Sequence, residues 1–131
     1  MSQLTRSATD LGVALAEALT AGDPEQARAL FATPVDFRAV TPSRAWEAET
    51  AVDLVDDILL GTWFGPSRTP RHLVQVGTDQ VGDRCRVTYR ISVDDPEMPT
   101  VVEQTAYYSV TDGRISWMRL VCSGFRAVDG G

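Results

Sequence analysis

The apolar residues at the start of the chain repeat at helical spacing and predict two helices joined at a glycine. Leu4, Leu11 and Leu15 belong to one apolar stripe, and Gly22 ends it. The next four residues, Asp-Pro-Glu-Gln at 23–26, combine a capping aspartate, a proline at the first helical position and a glutamine that completes a capping box. A second, short helix is therefore expected directly after the glycine.

The middle of the chain predicts one strand and one more helix. Residues 35–40 are expected to form a short strand, closed by Thr41-Pro42. A third helix is expected over Glu49–Trp63. Its inward residues are predicted to be Val52, Val55, Ile58 and Leu59, and its solvent-facing carboxylates Asp53, Asp56 and Asp57.

From His72 onward, apolar and polar residues alternate as they do in strands. Strands are predicted over 72–81, 84–93, 100–110 and 115–123, with Asp112-Gly113 as a tight hairpin turn. This order predicts a single α+β domain over residues 1–131. We expect three N-terminal helices to pack on the concave face of a curved antiparallel sheet.

Composition narrows the classes of function. The chain has 131 residues, of which 44% are hydrophobic and 23% charged, as in an ordinary globular domain. It has no apolar run long enough to span a membrane and no signal-peptide core, so a cytoplasmic location is expected. The formal net charge of −6 disfavours binding to nucleic acid or to an anionic membrane. Cys85 and Cys122 fit neither a disulfide framework nor a metal site, and no cofactor motif is present.

Four short phrases carry a resemblance to a known superfamily. They are Ala21-Gly22-Asp23-Pro24-Glu25, Leu30-Phe31-Ala32, Trp46-Glu47-Ala48, and Asp112-Gly113-Arg114-Ile115 shortly before Met118. In this order they resemble the nuclear-transport-factor-2-like (NTF2-like) superfamily, which includes ketosteroid isomerases, scytalone dehydratases and SnoaL-type polyketide cyclases. The resemblance covers nearly the whole chain and implies a cone-shaped fold whose concave face holds the core and any cavity. It does not imply one function, because this fold supports many chemistries.

The catalytic residues of two of these groups are missing. A ketosteroid isomerase site needs a carboxylate base and an oxyanion hole of a tyrosine and a protonated aspartate. Aligning the phrases places the tyrosine position on Leu15, the base on Ala39 and the aspartate near Ala106. A shift of register can bring Asp36 to one of these roles but cannot fill all three. A scytalone dehydratase site, as the resemblance implies it, needs two histidines, and His72 is the only histidine in this sequence.

The resemblance also places Met118 inward, and alternation and hairpin pairing extend that assignment. If Thr111 lies opposite Ile115, then Tyr108 pairs with Met118 and Gln104 with Cys122. If Val93 lies opposite Thr100, then Tyr89 lies beside Gln104. The predicted inward set is Tyr89, Ile91, Val102, Gln104, Ala106, Tyr108, Met118, Leu120 and Cys122.

This largely apolar set, with two phenols and one amide, suits a small hydrophobic molecule held by a few hydrogen bonds. One interpretation is a cofactor-independent cyclase, isomerase, dehydratase or hydrolase acting on a polyketide-, terpenoid- or steroid-like substrate, with His72 and Tyr108 as catalytic candidates. The other is a non-catalytic binding or dimerisation module that uses the same fold to hold a ligand or a partner protein. A separate alternative for the inward polar groups is that they satisfy one another within a closed core, and the alternative for His72 is a place on the surface. The predicted ligand-binding residues are Trp63, Tyr89, Gln104, Tyr108, Met118 and Cys122, with Trp46 and Trp63 either at the rim of the opening or packed in the core.

The outer face of the predicted sheet is rich in aromatic residues and arginine, which are enriched at interfaces. Arg90 and Glu103 are expected to be cross-strand partners. The resemblance implies dimerisation through this face, the alternative being an ordinary surface with one weak ion pair. The predicted homodimer surface comprises Arg90, Glu103, Tyr107, Trp117 and Arg119.

Overall fold

The two predicted N-terminal helices are α1 (Ala8–Ala21) and α2 (Pro24–Arg28) in a computed structural model that describes residues 8–65, 68–94 and 99–127. Gly22 has a φ of 66°, a left-handed conformation that ends α1 at low cost. The carboxylate of Asp23 then accepts a hydrogen bond from the amide of Gln26 at 3.1 Å, as the sequence predicts. Leu4 lies outside the described residues.

Seven strands and one further helix follow. The helix, Asp53–Trp63, has hydrogen bonds from residue i+5 to residue i and is called the π-helix below. The strands are β1 (Phe31–Thr41), β2 (Arg44–Ala48), β3 (Thr69–Val81), β4 (Arg84–Asp94), β5 (Thr100–Thr111), β6 (Arg114–Cys122) and β7 (Arg126–Ala127).

The predicted fold is correct in class and wrong in two details. The sheet order is β2-β1-β6-β5-β4-β3, with β7 paired to β5, and β1 runs parallel to β6, so the sheet is mixed rather than antiparallel. The described chain has two α-helices, and its third helical segment is a π-helix that follows β2. The prediction of three N-terminal α-helices is therefore wrong, because the segment expected to form the third is a π-helix over Asp53–Trp63. Residues 44–48, expected to lead into that helix, form the strand β2 instead.

The π-helix also changes which residues face the core. Val52 was predicted to face inward, but it is 55% exposed, whereas Leu54 is fully buried. A π-type turn contains more residues than an α-turn, so the apolar stripe follows a longer repeat. Its buried residues are Leu54, Val55, Ile58, Leu59 and Trp63.

The register of the central strands matches the prediction. Tyr108 pairs with Met118, Gln104 with Cys122, and Tyr89 with Gln104. The premise that Thr111 lies opposite Ile115 is wrong, because Thr111 pairs with Arg114 and an irregularity between Ser109 and Val110 restores the expected register. All nine residues of the predicted inward set are buried.

The concave side of the sheet is covered in two halves. Helix α1 packs on β3 and β4, while the π-helix packs on α2 and β2. The largest fully buried side chains include Tyr89, Tyr108, Phe37, Leu15 and Leu54. In the part of the chain that the structure describes, no helix has the length and apolar character needed to cross a membrane.

Candidate functional site

The buried polar residues predicted on the concave face satisfy one another. The Tyr89 hydroxyl donates a hydrogen bond to Oε1 of Gln104, and Nε2 of Gln104 donates to Sγ of Cys122 at 3.4 Å. The amide N–H of Gly124 also donates to that sulfur at 3.4 Å. Burial, and secondarily the nearby Cys122, raises the pKa of Tyr89, so its phenol stays protonated and acts as a donor.

Tyr108 forms hydrogen bonds to the backbone of helix α1. Its hydroxyl donates to the carbonyl of Ala8 at 2.7 Å and accepts from the amide of Gly12 at 3.0 Å. Burial is the largest cause that raises the pKa of Tyr108, followed by the neighbouring Cys85. With both directions of its hydroxyl in use, the side chain holds α1 against the sheet.

These residues are enclosed by their neighbours. Four depressions in the surface have volumes of about 400 to 490 Å³, and none of the four is lined by a residue of the predicted ligand-binding set. None of these four depressions therefore reaches the buried inward set. Among the described residues, the buried polar or charged side chains outside the aromatic and cysteine groups are Thr100 and Gln104, so no carboxylate or imidazole faces the interior.

Trp63, at the end of the π-helix, differs from these residues because its buried polar atom has no hydrogen-bond partner among the described residues. It is 4% exposed, and its indole Nε1 is buried without a hydrogen-bond partner among the described residues. Its ring lies 6.4 Å from the ring of Phe37 and 5.8 Å from that of Trp46, at right angles to the latter. Leaving a buried donor unsatisfied costs about 1–3 kcal/mol, so this N–H is a ready site for an acceptor.

Trp46 connects the buried Trp63 to the surface. It lines a depression of about 490 Å³ between β2 and the π-helix, and its own Nε1 donates to Oγ1 of Thr41 at 3.0 Å. The guanidinium of Arg44 lies 3.7 Å from its ring centroid. The residues lining the depression are Arg44, Ala45, Trp46, Glu47, Asp53, Asp57, Ile58 and Thr62.

The sequence placed Trp46 either at a pocket rim or in the core, and it did not predict the strand that carries this residue. The two-residue turn at Pro42-Ser43 was a usable signal, because it separates two segments that pair as a hairpin. In the short strand that follows, Trp46 and Ala48 are the less exposed residues and their neighbours are exposed. A strand of five residues is too short for the alternation of buried and exposed positions to be recognised in the sequence.

His72 is not among the residues that face the interior. It is exposed on β3, at the edge of the sheet, and its backbone amide donates a hydrogen bond to Oγ of Ser92 at 3.2 Å. The structure thus brings together Tyr89, Gln104 and Cys122, and it separates His72 from them. Cys85 and Cys122 are both buried and free.

The outer face is organised by cation–π contacts and ion pairs. Arg90 and Glu103 form the predicted cross-strand pair, with 2.7 Å between Nη2 and Oε1. The guanidinium groups of Arg84 and Arg119 lie 3.7 Å and 4.5 Å from the ring centroid of Trp117. A hydrogen bond from Arg119 is the main cause that lowers the pKa of Asp36.

Comparison with known proteins bears on the fold. No protein-family profile and no curated protein sequence matches the chain. A proposed polyketide cyclase from Pseudomonas putida matches with a TM-score of 0.65 and 17% identity, over 88% of this chain and 90% of that one. An NTF2-like protein from Burkholderia thailandensis matches with a TM-score of 0.66 and 15% identity, over 90% and 92%.

A third structure extends this comparison to the ketosteroid-isomerase-like fold. It is a protein of that fold from Catenulispora acidiphila, in complex with trimethylamine, with a TM-score of 0.68 and 12% identity over 90% of this chain and 88% of that one. At such low identities the matches show the fold alone. The chain has the NTF2-like fold that the sequence predicts, and its function must be argued from its own residues.

Proposed function

We propose that the protein binds a small, largely apolar molecule that carries a hydrogen-bond acceptor, inside the cone beside Trp63. The observation that supports this proposal is the unpartnered indole N–H of Trp63, in a core where the phenols and the amide all have partners. A carbonyl or ether oxygen placed at this N–H would form the missing hydrogen bond. The surrounding rings of Phe37 and Trp46 would contact the apolar body of the ligand.

The depression at Trp46 is the route that this proposal implies. Trp46 contacts both the depression and Trp63, so rotation of its side chain would connect the two. The other predicted ligand contacts belong to the same buried core as Trp63 and are Tyr89, Gln104, Tyr108, Met118 and Cys122. The weakest hydrogen bond among these residues is the one from Nε2 of Gln104 to Sγ of Cys122, because sulfur is a weak acceptor. An oxygen acceptor on a ligand would replace it favourably.

The proposal is for binding and not for a chemical step. General acid–base catalysis requires a titratable group within hydrogen-bond reach of the substrate. Of the two catalytic candidates, His72 is exposed on β3 and Tyr108 is engaged with α1. Among the described residues no other acid–base pair faces the interior.

A thermal-shift screen with matched ligands tests this proposal. Phenols, cyclic ketones, terpenoids, steroids and fatty acids would each be compared with a hydrocarbon of the same shape that lacks the acceptor. At a hundred times its dissociation constant, a ligand should stabilise the fold by roughly 2.7 kcal/mol, a shift of several degrees in Tm.

The variant Trp63→Phe removes the N–H and should abolish the preference for the acceptor-bearing member of each pair. Trp117→Phe, which removes an indole from the outer face, is the matched control and should keep it. No shift with any class, or a preference that survives Trp63→Phe, would show that the core is closed to ligands or that Trp63 is not the donor.

A second candidate function is homodimerisation through the outer face. Val40 and Val121 are paired neighbours on β1 and β6, and they are 55% and 62% exposed. In the strand register they lie beside the predicted dimer residues Glu103, Tyr107 and Arg119, and Arg90 and Trp117 lie further along the same face. They add apolar area to a surface rich in arginine and aromatic residues.

Sedimentation equilibrium tests this second candidate with a matched pair of variants. Val121→Asp should shift the protein toward monomer, whereas Val74→Asp, which places the same charge at a 56% exposed valine on β3, should not. A wild-type protein that remains monomeric, or equal effects of the two variants, would exclude this face as the interface.

A further inference from the structure

We propose that the depression between β2 and the π-helix is a binding site for a small organic cation, such as an alkylammonium or guanidinium group, on the face of Trp46. This site lies at the surface, and it is separate from the ligand position beside Trp63. The two sites share Trp46 but depend on different groups, since one needs an aromatic face and carboxylates and the other needs a buried donor.

The first observation is that the face of Trp46 already holds a cation. The guanidinium of Arg44 lies 3.7 Å from the ring centroid, within the range of a cation–π contact. Arg44 forms none of the ion pairs found among the described residues, although carboxylates line the same depression. The ring, and not a carboxylate, therefore positions this cation.

The second observation is an excess of negative charge around that ring. Glu47, Asp53 and Asp57 line the depression and take part in no ion pair among the described residues. The neighbouring Asp56 differs, since Arg28 neutralises it at 2.7 Å. With Arg44 as the only cationic lining residue, the depression carries a formal charge of −2.

The third observation is the shape and the apolar lining. Ile58 and the ring of Trp46 contribute apolar surface, and the depression, at about 490 Å³, has room for a group such as trimethylammonium. A ligand cation that displaces Arg44 would keep the aromatic contact. Arg44 would then be free to move away from the ring, and its charge would no longer compete for the same face.

Trp117 on the outer face provides an internal comparison. Its ring is also contacted by guanidinium groups, those of Arg84 and Arg119. Asp36, which pairs with Trp117 in the strand register, forms an ion pair with Arg119 at 3.0 Å. Trp117 thus has an aromatic face, bound arginines and a neighbouring carboxylate that is already paired, and it should not take up an added cation.

The test is a titration followed by the indole N–H signals in a ¹⁵N correlation spectrum, with Trp46→Phe used to assign the Trp46 signal. Choline is the probe and 3,3-dimethylbutan-1-ol is its neutral isostere. We expect choline to shift the Trp46 signal saturably, with about tenfold higher affinity than the alcohol, and to leave Trp117 unshifted. Higher salt should weaken the binding of choline and not that of the alcohol.

Three variants make the outcome decisive. Asp53→Asn with Asp57→Asn should weaken choline binding about three- to tenfold, whereas Asp83→Asn with Asp112→Asn, an equal charge change elsewhere, should leave it within twofold. Arg44→Gln should tighten it about threefold by freeing the ring. Equal affinity for the two probes, equal shifts at Trp46 and Trp117, no saturable shift, or weaker binding in Arg44→Gln would each overturn the proposal. Circular dichroism would verify that every variant remains folded.

Discussion

Gly12 and Tyr108 are in direct contact across the junction of α1 and the sheet. The amide N–H of Gly12 donates to the Tyr108 hydroxyl at 3.0 Å, and a Cβ added at residue 12 would lie only 2.8 Å from the same oxygen. The absence of a side chain at this position therefore allows the helix to approach the sheet closely enough for the hydrogen bond. This pairing sets the position of α1 over the core.

Gly12→Ala should destabilise the protein by about 1–2 kcal/mol, because the overpacking penalty exceeds the gain in helix propensity. The free energy of unfolding, measured by urea denaturation, checks this. Gly77→Ala is the control, since an added Cβ there has no atom within 4 Å, and it should change stability by less than about 0.5 kcal/mol. Equal effects would mean that α1 does not approach the sheet as described.

Tyr108→Phe should cost about 1–3 kcal/mol, because the carbonyl of Ala8 and the amide of Gly12 both lose their partner. Tyr107→Phe, at an exposed phenol on the same strand, should cost far less. The double variant Gly12→Ala with Tyr108→Phe should be less destabilised than the two single losses added together, because removing the hydroxyl relieves part of the clash. The rest of the clash, with Cβ of Val87 at 2.8 Å, would remain. Strict additivity in that cycle would contradict the contact.

Gly61→Ala should be the most damaging glycine substitution in the described helices. A Cβ at residue 61 would lie 2.0 Å from the carbonyl oxygen of Asp56, a distance that the π-helix cannot accommodate without rearrangement. We expect a loss of at least about 2 kcal/mol in urea denaturation, again compared with Gly77→Ala. A variant as stable as the wild type would show that residues 53–63 do not keep π-type hydrogen bonding in solution.

Stability should fall at alkaline pH because of the buried phenols. The pKa values of Tyr89 and Tyr108 are raised in the folded state, mainly by burial, so the folded protein retains protons that the unfolded chain releases above about pH 10. The contribution is thus complete below that pH and decreases as the pH rises. Each phenol that ionises only on unfolding should add roughly 1.4 kcal/mol per pH unit to the decline.

Urea denaturation between about pH 8 and pH 11 measures this decline, and Tyr108→Phe should make it shallower. The chain contains no lysine, so no lysine side chain titrates in this range. A slope identical in wild type and variant would show that Tyr108 does not titrate differently in the two states.

The sequence was most informative where contacts are local along the chain. The pairing of Tyr108 with Met118 follows from a short hairpin and from strict alternation, and it survived an incorrect assumption about Thr111 because a local irregularity compensated for it. The cap at Asp23 was also predictable, since it depends on residues three positions apart. Such relationships need no knowledge of the rest of the fold.

The remaining features depend on long-range geometry or have no clear sequence signature. The sequence predicts an α-helix here because an α-helix and a π-helix both show one buried apolar stripe. The α-helical repeat places Val52 on the buried side, whereas Val52 is 55% exposed. The candidate site at Trp46 lies between β2, which was not predicted, and that helix. The sequence does not show that the indole N–H of Trp63 lacks a hydrogen-bond partner, because this depends on the three-dimensional positions of all the acceptors around it.

The parallel pairing of β1 with β6 has a consequence for biosynthesis. Phe37 lies beside Met118, so a strand made early must wait for about 80 further residues before its partner exists. β1 therefore cannot pair with β6 until β6 has been synthesised. Even then, the entropy cost of closing this long loop comes before any stabilisation from the contact. Until then β1 has only β2 as a neighbour, and its other edge is open to chaperones or to strands of another nascent chain.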